Sequence, residues 1–153
     1  MSVKVLGIGN VIMSDDGIGV LIAKSLEKNL EKYNIEVIIG ECDVEYCLSC
    51  IEEGDVLFII DAGLYGLPSG ELTITDIRDS RKELKTGYSQ HQMSLVKLIS
   101  NYNLKNISAY VIAIEVENID FGIEISSSLK SKFEIIGGQI FDFIILKGGE
   151  GNA

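Results

Sequence analysis

Short apolar runs recur along the first half of the chain, closed by glycine or aspartate and separated by stretches with helical spacing. Val3 to Ile8 is brief, rich in β-branched residues and bounded by Gly7 and Gly9, which predicts a strand buried on both faces. Ile18, Leu21, Ile22, Leu26 and Leu30 then keep helical spacing, with Lys24, Glu27 and Lys28 on the opposite side, as in an amphipathic helix. Ile35 to Ile39, closed by Gly40, reads as a second strand, Val44 to Ile51 as a short helix, and Asp55 to Ile60, stopped by Asp61, as a third strand. Strand and helix in alternation predict a parallel sheet.

The second half continues the pattern with one change. Leu67-Pro68-Ser69-Gly70 is a turn into Glu71 to Thr75, whose alternation predicts a half-exposed strand at a sheet edge. A polar stretch from Asp76 to Ser89 leads to His91, after which Met93, Val96, Leu98, Ile99 and Tyr102 follow in helical rhythm. Ile107 to Ile114 is another buried strand. Ser126 to Ser128 opens a last helix carried by Leu129, Phe133, Ile136, Ile140 and Phe143. Gly137-Gly138 inside it costs about 1 kcal/mol per glycine relative to alanine. The expected fold is α/β, a single-domain three-layer sandwich with a twisted, mainly parallel sheet flanked by helices. The domain spans 1–147, and the glycine-rich 148–153 forms a flexible tail.

A chain of 153 residues with 46% hydrophobic content suits one well-buried core and not two. Its net charge of -10 argues against a nucleic-acid or anionic-membrane face, which needs clustered Lys and Arg, and leaves a metal or a basic protein partner. The N-terminal apolar run is interrupted by Asp15 and Asp16, so it is neither a secretory signal nor a membrane span, and no other run is long enough. Cys42, Cys47 and Cys50 are too few and too local for a disulfide framework, which points to the reducing cytoplasm.

Candidate chemistry follows from the topology. Ligands of a doubly wound sheet bind beyond the carboxyl ends of the strands, where strand order reverses. The Asp15-Asp16 loop follows the first strand and Asp61 ends the third, so right-handed crossovers bring carboxylates from distant positions to one crevice. A glycine turn in this place usually announces phosphate, which carboxylates would repel; the loop suits a cation better. The dinucleotide fingerprint fails because its third glycine position is Ile12, and the Walker lysine is absent. His91 is the only histidine and precedes a helix. Two carboxylates and an imidazole suit zinc, nickel, manganese or iron with open positions for water or substrate. The same residues also fit metal-free general-base chemistry. They fit an ordinary structural reading as well, with Asp15 capping the first helix, Asp61 in a loop hydrogen bond and His91 solvated. Cys47-Leu48-Ser49-Cys50 has redox spacing, but it falls inside a helix and not at a helix N-terminus after a strand, so partly buried cysteines on one helix face explain it better.

"GIGN" after the first strand, "DDGIG" opening the first helix, "FIIDA" ending the third strand and "HQMSL" before a later helix stand in order along the chain. Together they resemble the hydrogenase maturation endopeptidase family over nearly the whole length. The resemblance implies a mainly parallel sheet between helices. It also implies removal of the C-terminal extension from the large subunit of a nickel-iron hydrogenase after nickel insertion. The family's metal-contacting acid falls on Asp16, its second acid on Asp61 and its histidine on His91, all three in catalytic and metal-contacting roles. Nickel is supplied by the precursor, which is the implied partner, and no organic cofactor is implied. The chain departs from the family at Gly40-Glu41-Cys42-Asp43, where many members have a "DGGT"-like turn, and at Glu115 to Glu117, where many have glutamine and proline. Both departures bear on substrate choice and partner recognition. The alternatives are a non-catalytic metal- or nucleotide-binding module on a flavodoxin-like scaffold and, behind it, a C-x-x-C redox protein.

Overall fold

The computed structural model describes residues 2–78, 95–97, 99 and 106–151. Five strands form one sheet: β1 (Val3–Ile8), β2 (Ile35–Glu41), β3 (Val56–Gly63), β4 (Leu72–Asp76) and β5 (Ser108–Glu115). Their order is β2-β1-β3-β5-β4, parallel throughout except for the edge strand β4, which runs antiparallel to β5. The expected α/β sandwich with a half-exposed edge strand is therefore the observed one. β1 and β3 lie side by side where strand order reverses.

Alternation along the strands divides the core into two faces. Val3, Val5, Phe58, Ile60, Ile112 and Ile114 face helix α1 (Ile18–Glu31) and helix α3 (Ser127–Gly151). Leu6, Ile8, Leu57, Ile59 and Val111 face the other layer, which contains Cys47 of helix α2 (Val44–Ser49) and Leu95, Val96 and Ile99 of a helical stretch. On the first face Phe58 stacks on Tyr110 at 5.5 Å between ring centres, and Phe143 meets both rings edge-on. Gly137 and Gly138 do not interrupt α3, because Ile136 and Ile140 on either side are buried against the sheet. The helix also runs through the glycine-rich segment to Gly151, where composition alone predicts fraying; Gly148 lies close against Val3. Among the described residues no helix is long and apolar enough to cross a membrane.

β3 differs from expectation in one respect that matters for the site. Asp61 does not stop the strand. β3 continues to Gly63 because β5 pairs with it as far as Gly63 opposite Glu115, which places Asp61 within the sheet opposite Ala113.

One buried ion pair closes the opposite end of the sheet. Lys4 Nζ lies 2.8 Å from Asp55 Oδ2 and donates to the Cys50 carbonyl at 2.7 Å, while the same Asp55 oxygen accepts from the Glu52 N–H. Both side chains are buried, so removing one partner leaves the other charge without compensation. Asp55→Ala is expected to cost about 3–5 kcal/mol, read as a lower urea midpoint with an unchanged slope of the unfolding transition.

Candidate functional site

β1 delivers the chain to Gly9, whose N–H donates to the Glu41 carbonyl at 2.9 Å and whose φ of +132° suits only glycine. The chain then folds back through a turn from Asn10 to Met13 into a single 3-10 turn, Ser14–Gly17, that leads into α1. A Cβ at Gly9 would strike the Asp16 carbonyl oxygen and come within 3.2 Å of Asp61 Oδ1. Gly9 is thus the gap in which the loop after β1 and the acid of β3 meet. Gly19 performs the same service one turn later, since a Cβ there would lie 2.8 Å from the Asp61 Cα. The two acids, 45 positions apart in sequence, converge on one end of the β1–β3 seam, as the switch-point argument expects.

The two carboxylates are held differently. Asp16 is half-buried, and its Oδ2 accepts from the backbone N–H of Asn10 at 2.9 Å, which fixes the carboxylate across its own turn. Asp61 is fully buried, and its Oδ1 accepts from the Ala62 N–H at 2.7 Å. One carboxylate of the pair is therefore partly open and the other enclosed.

Asp15 has a different task from the helix cap expected of it. Neither the 3-10 turn nor α1 has a side-chain cap at its start. The Asp15 carboxylate is fully buried and accepts three backbone N–H groups from the far side of the chain: Glu117 at 3.0 Å, Asn118 at 2.9 Å and Ser126 at 2.6 Å. Three donors compensate a buried carboxylate in place of water. The result is a staple between the loop after β1 and the segment joining β5 to α3.

Two further residues come to this end of the sheet without a signal in the sequence pattern. Cys42 follows Glu41, the residue paired with Gly9. Its thiol is pushed above the ordinary cysteine range by partial burial first and then by the negative charges of Asp16, Glu41 and Asp61. Glu115, part of the departure from the family pattern, is buried at the end of β5 and accepts the Tyr65 N–H at 2.9 Å, shaping the chain as it leaves β3. Cys47 is buried beneath Gly40, and burial, with smaller contributions from Cys50 and Asp43, pushes its thiol up to about 11. A protonated, covered thiol is a poor nucleophile, so Cys47 acts as core, as expected of a cysteine on a buried helix face. His91 lies outside the described residues. Among the described residues no three His, Cys, Asp or Glu side chains are grouped closely enough to hold a metal ion.

The family model for hydrogenase maturation protease matches residues 20–142. A Methanocaldococcus jannaschii protein carrying that family's name is 25% identical to this chain, with the match covering 90% of this chain and 96% of the relative. The hydrogenase expression/formation protein HupD of Thiocapsa roseopersicina is 26% identical, and there the match covers 85% of this chain but only 62% of the relative. Among solved structures, the hydrogenase maturating endopeptidase HybD from E. coli superposes with a TM-score of 0.79 at 21% identity, covering 97% of this chain and 94% of the other, so the fold is shared.

The cysteines provide a direct reading of this geometry. With iodoacetamide at mildly alkaline pH, Cys42 should be labelled in the folded protein while Cys47 stays unlabelled until the chain unfolds. Because Asp16 raises the Cys42 thiol, Asp16→Asn should lower it and increase the labelling rate at fixed pH. Peptide mass after timed quenching measures both rates.

Proposed function

The chain belongs to the hydrogenase maturation protease family, and from that membership we propose that it removes the C-terminal extension of a nickel-iron hydrogenase large subunit once nickel has been inserted. The observation that carries the reading is the meeting of Asp16 and Asp61 at Gly9. The family match begins at residue 20 and so leaves Asp16 out; packing at Gly9, independent of that match, brings this acid to the one within it. A paired-carboxylate site also disfavours a nucleotide-binding module, since phosphate would be repelled.

In this reading the nickel is cargo of the precursor, and Asp16, Asp61 and His91 contact it. Carboxylate and imidazole ligands suit a divalent ion of this hardness. Contact with the loaded metal centre fixes the precursor so that the scissile peptide is presented to water, and the gain is one of positioning. An empty precursor lacks the ion the carboxylates bind, which makes cleavage conditional on loading. Three free cysteines support a reducing compartment, and we place the reaction in the cytoplasm.

The test mixes purified protein with nickel-loaded or nickel-free precursor and follows loss of the extension by mass. Cleavage of the loaded form alone is expected. Asp16→Asn, Asp61→Asn and His91→Ala should each abolish it while circular dichroism stays unchanged. An imidazole coordinates only when neutral, and its reference pKa is about 6.5, so activity should fall in mild acid. Equal cleavage of both precursors, or full activity in His91→Ala, would overturn the mechanism.

A further inference from the structure

The turn that carries Asp16 does not hold itself in place. Ser14, which opens it, stands at φ +51°, in the left-handed region that disfavours a residue with a Cβ. Such a conformation persists where the surroundings enforce it. Here the enforcing groups lie 103 to 110 positions downstream. The Ser14 N–H donates to the Gly122 carbonyl at 2.7 Å, its Oγ to the Glu124 carbonyl at 2.6 Å and the Asp15 N–H to the Asn118 carbonyl at 2.9 Å, while the Gly122 N–H returns to the Ile12 carbonyl at 2.8 Å. The Asp15 carboxylate completes the clasp from the other direction, with Oδ2 accepting from the Glu117 and Asn118 N–H groups and Oδ1 from Ser126.

We propose that Asp15 is a positioning residue for the reaction: it sets the place of Asp16, and through Asp16 alone it governs recognition of the nickel-loaded precursor. This deepens the functional reading above and rests on it. Asp15 does not contact the ion itself, since its carboxylate is fully buried and both oxygens are taken by backbone donors. What it supplies is a common reference for the two acids. Asp61 is held in register by β5, opposite Ala113, and Asp15 ties the Asp16 turn to Glu117 and Asn118, the continuation of the same strand. The separation of the acids is therefore measured along β5. Little error is tolerable, because the Asp16 backbone already fills the space of a Cβ at Gly9, and a misplacement of about 1 Å can cost on the order of 100-fold in rate.

The experiment uses the full chain and two readouts, of which the first needs no precursor. The Cys42 thiol is raised by partial burial and then by the charge of Asp16, so its iodoacetamide labelling rate reports where that charge stands. Asp15→Asn keeps the side-chain volume but accepts through one oxygen, leaving at least one of the three N–H groups facing another donor. It should raise the labelling rate toward that of Asp16→Asn and add little when made in the Asp16→Asn chain, whereas loosening alone would raise the rate in both backgrounds. The second readout is the ratio of affinities for nickel-loaded and nickel-free precursor, which should lose most of its value in Asp15→Asn and little more in the double variant. Ser126→Pro removes one donor with Asp15 intact and should move both readouts the same way relative to Ser126→Ala, which keeps the N–H; it decides the matter if Asp15→Asn does not fold. Unchanged readouts, losses that add fully to those of Asp16→Asn, or a labelling shift with an unchanged affinity ratio would overturn the positioning role and leave the protease reading standing. Equal affinity of the unaltered chain for both precursors would overturn the functional reading and the role in recognition with it, while the labelling rates still show whether Asp15 places Asp16.

Discussion

The arrangement depends on a missing atom. At Gly9 the loop after β1 passes so close to the end of β3 that no side chain can stand between them, and the Asp16 backbone and the Asp61 carboxylate occupy the space a Cβ would take. The constraint is steric and local, but its effect is electrostatic. The turn that carries Asp16 and the strand that carries Asp61 are thereby held against each other. Gly19 extends the constraint into α1, so the helix, the loop and the strand end form one rigid corner.

Asp15 carries that corner across the molecule. By accepting three backbone N–H groups from the segment after β5, it joins the acid-bearing loop to the connection that leads into α3. Adjacent acids in the sequence thus differ in task, one turned into the protein as a staple and the other left half-open across its own turn. The staple also explains why the departure at Glu115 to Glu117 is compatible with the fold. Glu115 binds the Tyr65 N–H, Glu117 offers its backbone N–H to Asp15, and its side chain accepts from Ser128 Oγ at 2.8 Å.

What could be read from the sequence was whatever depends on neighbours along the chain. β1 has its expected limits, and Ile18, Ile22, Leu26 and Leu30 form the buried side of α1 as expected, because side-chain periodicity and glycine placement are local properties. The position of Asp61 inside β3 was not legible, since the strand is lengthened by pairing with β5, more than 40 residues downstream. The task of Asp15 was hidden for the same reason: its three donors are 102, 103 and 111 positions away. An aspartate before a helix resembles a cap whatever its actual partners are. Cys42 gave no signal either, because its nearness to the acids follows from the pairing of Glu41 with Ile8 and its bond to the Gly9 N–H and not from any spacing.

The central claim is that Asp16 and Asp61 read one and the same metal on the precursor. It is tested most directly by the ratio of affinities for nickel-loaded and nickel-free precursor, measured by calorimetry for the unaltered chain, Asp16→Asn, Asp61→Asn and the double variant. If both acids act on one ion, either single change should remove most of the preference for the loaded form, and the double change should remove little more. Independent, additive losses, or a preference that survives in the double variant, would contradict the account.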